Sequence, residues 1–177
     1  MRVLVLGSSG LLGSTLAPFL VACGHEVKTH GRNGGTQFQA DLGDKSAVDA
    51  LLSEVNPEII VNLVGQTDVA QCEALPNQAY VTNVRTVENI SDWIGRQGVP
   101  PYLVHISTDQ VYDGASLHTE DEVTLTNFYA FSKYASELVA ARVPSAILRT
   151  NFFGRSLCSI RMSLTDWIFR SLSNKES

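Results

Sequence analysis

The sequence predicts a doubly wound α/β domain, a parallel sheet with helices packed on both faces. Three observations carry this. Short continuous apolar runs recur along the chain, as strands buried on both faces require. Amphipathic stretches with apolar residues at i, i+3 and i+4 lie between them. Every connection is long enough for the crossover that parallel neighbours need. At 177 residues, 44% hydrophobic and 18% charged, the chain reads as one globular domain over residues 1–177.

The elements follow in order. "RVLVLG" is a first strand ending in Gly7. Residues 10–23 form a helix closed by Gly24, the residue type that ends helices in the left-handed region. "HEVKTH" is a second strand and "TQFQA" a short third. Asp44 is an N-cap, followed by an apolar stripe of Ala47, Val48, Leu51, Leu52 and Val55. That helix stops at Asn56, because Pro57 follows. "EIIVNLV" is a fourth strand, residues 76–97 are mostly helical, and "YLVHIS" is a fifth strand. A polar loop over 109–126 leads into a helix carrying Tyr129. "SAILRT" is a sixth strand, and 163–172 a last helix.

Composition excludes several classes. A net charge of −5 with no basic cluster gives no attraction to nucleic acid or anionic lipid. No run approaches the ~18 unbroken apolar residues of a membrane span. Cys23, Cys72 and Cys158 are scattered, and the four His lack ligand spacing, so no metal site is expected. The cysteines read as small buried hydrophobes of a reducing, cytoplasmic protein. The stretch up to Cys23 has the apolar look of a lipoprotein signal. Pro18 and the Gly and Ser residues inside it fit a strand, a turn and a helix better.

In doubly wound sheets, ligands sit beyond the carboxyl ends of the strands. After the first strand comes "GSSGLLG". Gly7 permits a tight turn, Gly10 lets backbone approach a pyrophosphate, and Gly13 lets the helix pack close. The helix start offers N–H groups and a positive dipole end to phosphate. This is the turn of a Rossmann-like fold. After the second strand, folds that choose NAD place an acid on the ribose hydroxyls. Here "THGRNGG" has none, and Arg32 stands where a 2′-phosphate would be met. NADP(H) is therefore preferred, with NAD(H) possible. After the fifth strand come Ser107 and Thr108. Tyr129 and Lys133 lie at i, i+4 on the next helix, so a hydroxyl, a phenol and an ammonium can converge on one carbonyl oxygen.

The chain resembles the extended short-chain dehydrogenase/reductases, and within them the dTDP-4-dehydrorhamnose reductase-like, sugar-nucleotide branch. The residues that carry the likeness are "GSSGLLG", "DL" at 41–42, "NLVGQTDVAQCE", "NVRTVEN", "STDQVYDG", "YAFSK" and "LRTNFFG", in the family's order. The resemblance implies that Tyr129 donates a proton to the substrate oxygen. It implies that Lys133 holds the nicotinamide ribose and lowers the phenol pKa, as a nearby cation should. Thr108 would bond the same oxygen, with Ser107 a lesser candidate. Ser9, Leu11 and Leu12 would join the glycines around the pyrophosphate. Asp41 and Leu42 would flank adenine, and Val64 and Gly65 would line the cofactor cleft. Asn83 would support the site, while Asp109, Gln110 and Asn151 would face the substrate.

The resemblance implies reduction of a keto-sugar nucleotide. Gln110 cannot act as a base, which counts against a sugar-nucleotide dehydratase. Leu125 and Ala130 are milder departures. A nucleotide-sugar epimerase is a second reading. A third is a dinucleotide-binding regulatory subunit like that of methionine adenosyltransferase, which would not need the phenol. Relatives continue into a substrate lobe, so residues 158–177 read as a helical tail leading into one that is missing, and this chain alone is expected to bind NADPH without turnover. The helix around Tyr129 is apolar nearly all round, which predicts a homodimer.

Overall fold

The computed structural model describes residues 1–32, 34–114, 116–156 and 162–173. Its elements are β1 (Arg2–Leu6), α1 (Gly13–Ala22), β2 (Glu26–Gly31), β3 (Phe38–Gln39), α2 (Lys45–Val55), β4 (Ile59–Asn62), α3 (Val69–Ala74), α4 (Pro76–Tyr80), a π-helical turn (Val81–Arg85), α5 (Thr86–Ile94), β5 (Tyr102–Thr108), a 3-10 turn (Asp109–Val111), α6 (Phe128–Ala140), β6 (Ser145–Thr150) and α7 (Leu164–Ser173). The strands form one parallel sheet in the order β3-β2-β1-β4-β5-β6. This is the Rossmann-like, doubly wound fold the sequence predicts.

Alternation along the buried strands divides the core. Leu4, Leu6, Ile60 and Leu103 meet Val48, Leu51, Leu52 and Val55 of α2 and Ile90 and Ile94 of α5. Val3, Val5 and Val61 meet Leu16 and Leu20 of α1 on the other face. The order reverses between β1 and β4, which opens a crevice at their carboxyl ends. Register keeps those ends level: Leu6 pairs with His30 and with Asn62, and Asn62 pairs with His105.

Local chemistry sets the helix ends. The Asp44 carboxylate accepts from Ser46 N at 2.7 Å and caps α2. Asn56, at φ 45°, closes it in the left-handed region before Pro57. Gly24, at φ 83°, does the same beyond α1.

The structure differs from expectation in three places. α1 begins at Gly13, because residues up to Leu12 are used in the turn. The stretch 76–97 is two helices joined by a π-helical turn, preceded by the short α3. Cys23 is exposed rather than buried, since it sits at the open C-terminal end of α1, whereas Cys72 is fully buried. The expected tail is a helix from Leu164 to Ser173; Cys158 and the rest of 157–161 and 174–177 lie outside the described residues. Among the described residues no helix is long and apolar enough to cross a membrane.

Candidate active site

The glycine turn explains itself geometrically. Gly7 adopts φ +78°, open to glycine at little cost. Its N–H and that of Ser8 both donate to the His30 carbonyl, at 3.0 and 2.9 Å, so the turn is bolted to the end of β2. The buried Ser8 hydroxyl adds a third bond to the same oxygen. A Cβ on Gly13 would lie 2.5 Å from both Gly7 O and Ser8 Cα, closer than any side chain tolerates.

Two adjoining cavities open at this turn, sharing Gly7, Gly10, Leu63, Val64 and Gly65. The first, about 460 Å³, continues past Ser9, Gly31 and Arg32 to Asp41 and Leu42. Arg32 is exposed at its rim. Asp41 accepts from Gly43 N at 2.9 Å, which shapes the loop, and Asn89 pins the Leu42 carbonyl at 2.9 Å. His30, which sequence reasoning missed as a lining residue, donates through Nε2 to Ala40 O at 3.1 Å, while its Nδ1 is buried without a partner. Burial holds its pKa below the ordinary histidine value.

The second cavity, about 370 Å³, brings together Gly10, Leu11, Leu12, Gly13, Thr108, Asp109, Gln110, Tyr129, Lys133 and Asn151. Residues 10 to 151 in sequence therefore meet in one space. Lys133 is 4% exposed and donates to Ile106 O at 2.7 Å. A Cβ on Gly65 would sit 3.9 Å from its Nζ, so Gly65 and Lys133 face each other across the cleft wall. Burial pushes the Lys133 pKa down to about 8, against the upward pull of Glu137.

The expected lowering of the phenol pKa is not what the structure shows. Burial pushes Tyr129 above the ordinary tyrosine value, and hydrogen bonding with Thr108 only partly offsets this. The reason is that desolvation outweighs any cation effect while the Lys133 ammonium is engaged by a backbone carbonyl. Ser107 is separated from Thr108 as well. Its hydroxyl donates to the buried Glu137 carboxylate, which Arg149 also clasps, at 2.7 Å through one nitrogen and 3.1 Å through another. Thr108 is thus the hydroxyl of the pair that faces the phenol. It accepts from Gln110 N at 3.2 Å.

Asn83 supports the site from the π-helical turn. Its side chain receives Gln66 N at 2.7 Å, donates to Gln66 O at 3.1 Å and donates to Ser132 Oγ at 2.8 Å. Sequence reasoning missed Ser132, Ser136, Glu137, Arg149, Asn62 and His105. A signal was present: polar His105 and Ser107 alternate inside an apolar strand, and Ser132 and Ser136 repeat at i, i+4 on α6. Polar groups at core spacing need buried partners, and here His105 finds Ser136 while Ser107 finds Glu137.

A larger cavity of about 910 Å³ lies between α1 and β4 to β6. Its walls are mainly apolar, among them Leu16, Leu20, Val104 and Leu148, with the paired Glu137 and Arg149 also lining it, and the convergent hydroxyl, phenol and amine are not in it. The chemistry belongs to the smaller pair. Their glycine cradle, backbone approach and charged rim fit a dinucleotide, with the amine and phenol at one end and Arg32 at the other.

Known proteins resemble this chain in sequence and fold. The RmlD substrate binding domain family matches residues 1–156. The dTDP-4-dehydrorhamnose reductase of Mycolicibacterium smegmatis is 29% identical over 155 residues, 84% of this chain and 45% of that protein. The protein of the same name from Aggregatibacter actinomycetemcomitans is 31% identical over 157 residues, 85% of this chain and 51% of that one. The chain therefore spans about half the length of these curated relatives. Among solved structures, a hypothetical dTDP-4-dehydrorhamnose reductase from Sulfolobus tokodaii superposes with a TM-score of 0.79 at 33% identity, over 88% of this chain and 57% of that one. The dTDP-4-dehydrorhamnose reductase from Bacillus anthracis, solved in complex with NADP, superposes with a TM-score of 0.73 at 28% identity, over 88% of this chain and 56% of that one. With the glycine turn, the Thr108, Tyr129 and Lys133 constellation and this match in hand, the chain belongs to the RmlD substrate binding domain family of the sugar-nucleotide reductase and epimerase superfamily.

Proposed function

We propose that this chain is the dinucleotide-binding part of an NADPH-dependent reductase of a keto-sugar nucleotide. One observation carries the reading: Thr108, Tyr129 and Lys133 line the same cavity as the glycine turn. The Bacillus anthracis relative in complex with NADP supports the choice of cofactor class. Gly7, Ser9, Gly10, Leu11, Leu12 and Gly13 would hold the pyrophosphate, Asp41 and Leu42 the adenine end, Arg32 the 2′-phosphate, and Val64, Gly65 and Lys133 the nicotinamide end. The reduced nicotinamide, when bound, supplies hydride.

The chain's own groups supply the rest. Burial keeps the Tyr129 phenol protonated at neutral pH, which is the state a general acid needs. It gives that proton to the substrate oxygen as negative charge develops there. Thr108 offers a second hydroxyl to the same oxygen. Lys133, still cationic below its pKa of about 8, would stabilise the phenolate left behind and would hold the ribose hydroxyls of the bound cofactor. Asp109, Gln110 and Asn151 lie at the open side, where the sugar would enter. We read the intact protein as a cytoplasmic homodimer. Its free Cys72 and Cys23 suit a reducing compartment. The exposed Phe131 and Leu138 on α6 suit a paired helix face.

Titrating the chain with NADPH while following intrinsic fluorescence should give saturable binding, unchanged in Tyr129→Phe. In a form of the protein that turns over, the same substitution should lower kcat by about 10²–10⁴. An absence of saturable binding for both NADPH and NADH would refute the reading.

A further inference from the structure

Behind the cleft lies a row of buried polar groups with no part in the proton transfer. Asn62, at the end of β4, is fully buried, as are His105 in β5 and Ser136 in α6. Sheet register sets Asn62 directly beside His105. The Val64 N–H donates to Asn62 Oδ1 at 3.1 Å. Asn62 Nδ2 faces His105 Nδ1 at 3.2 Å, His105 Nε2 faces Ser136 Oγ at 2.9 Å, and Ser136 Oγ donates to the Lys133 carbonyl at 2.6 Å.

The two ends determine every proton in between. Ser136 spends its one proton on Lys133 O, so it can only accept from His105. Val64 occupies the Asn62 oxygen, so the amide presents its N–H to His105 Nδ1. The imidazole must therefore carry its proton on Nε2 and none on Nδ1. A second proton would face an N–H donor in a fully buried site. The burial of the ring, and after it the Lys133 charge on α6, act against the imidazolium.

The same device occurs twice on α6. Ser132 Oγ donates to the Tyr129 carbonyl at 2.8 Å and accepts from Asn83, which grips Gln66. Ser132 and Ser136 thus tie the backbones of Tyr129 and Lys133 to the loop after β4, one through Asn83 and one through His105.

We propose that His105 is a positioning residue for the cofactor cleft: as the neutral Nε2–H tautomer it carries a continuous run of hydrogen bonds from Val64, on the cleft wall, to Lys133, on the catalytic helix, and so sets their separation. This rests on reading that cleft as the dinucleotide site.

The test has two arms on the chain as it stands. Long-range ¹H–¹⁵N NMR of histidine-labelled protein should show His105 with a protonated Nε2, a bare Nδ1 and no titration across pH 5–8, as expected for a ring locked by burial. A protonated Nδ1 or an ordinary titration overturns the proposal, whether or not the protein binds a dinucleotide. The second arm uses Ser136→Ala, which removes one oxygen and leaves the packing. It should shift the Val64 and Gly65 amide resonances at the far end of the run. It should also raise the NADPH Kd by about five- to ten-fold, the worth of one buried hydrogen bond. His105→Leu should act likewise, and His105→Gln, which keeps a donor and an acceptor, should recover most of the affinity. Unmoved Val64 and Gly65 signals with unchanged affinity in folded Ser136→Ala would show that the row only supports the core. If the parent binds neither NADPH nor NADH, the cofactor reading fails, and the tautomer and the amide shifts still decide the hydrogen-bonded run.

Discussion

Replacing Gly13 with alanine is the sharpest probe of the glycine turn. The added methyl would lie 2.5 Å from Gly7 O, 2.5 Å from Ser8 Cα and 2.7 Å from Ser8 C. All three are backbone atoms in a turn already bonded twice to the His30 carbonyl, so no flexible side chain can give way. Gly13 is the first residue of α1, so the usual gain in helix propensity is small. Overpacking of this kind costs about 1–3 kcal/mol, and three contacts with one rigid backbone stretch, all under 3 Å, put this case near the upper end. For a chain of this size that is a fall in Tm of roughly 4–12 °C. The turn must move away from the helix, so NADPH affinity should fall with it. Gly98→Ala is the control, because a Cβ there meets nothing within 4 Å. Thermal melts and fluorescence titrations on both variants decide the matter. A Gly13→Ala protein as stable as Gly98→Ala, with undiminished NADPH binding, would refute the close-approach argument.

Arg32→Ala should remove most of an NADPH preference over NADH of roughly ten- to a hundred-fold, the range of a charge-assisted contact; equal affinities in the parent would show that Arg32 selects nothing. Lys133 titrates near 8 in the folded chain and higher when unfolded, so between about pH 8 and 10 the unfolded state binds more protons. Stability should therefore rise with pH across that window and lose this slope in Lys133→Met, as urea melts at several pH values will show. The outward α6 residues Phe131 and Leu138, 49% and 57% exposed, should bury each other's face in a homodimer. Light scattering should give a dimer mass for the parent and a monomer mass for the doubly substituted Phe131→Asp, Leu138→Asp; a monomeric parent at high micromolar concentration would disprove it.

Much of this molecule was legible in the sequence because its signals are local. The buried strands, the Asp44 cap, the Asn56–Pro57 stop and the glycine spacing each depend on neighbours a few residues away. The meeting of Thr108, Tyr129 and Lys133 was legible too, through the rule that ligands gather beyond strand ends. What stayed hidden depends on distant partners. The π-helical turn has no sequence signature, yet it helps place Asn83 against Gln66 and Ser132, residues 17 and 49 positions away. The direction of the Tyr129 pKa was misjudged for the same reason. The i, i+4 spacing of Tyr129 and Lys133 was visible, while the burial of the phenol and the claim of Ile106 O on the ammonium were not.

The layer between β5 and α6 shows how stability and function are divided along one strand. At its amino end, Leu103 packs with Ala140 and Ile94, apolar against apolar. Two residues on, the same face turns polar: His105 meets Ser136, then Ser107 meets Glu137. Apolar residues of equal size would hold the layer together at least as well, since buried polar groups recover little beyond their lost hydration. What hydrogen bonds add is direction. Each fixes an angle and a distance, where apolar packing permits sliding between rotamers. The change from apolar to polar occurs where β5 approaches Thr108 and where α6 presents Tyr129 and Lys133, the part of the interface in which a shift of one ångström would separate the hydroxyl, the phenol and the amine. Local rules of core composition are broken there because the site needs placement more than it needs burial.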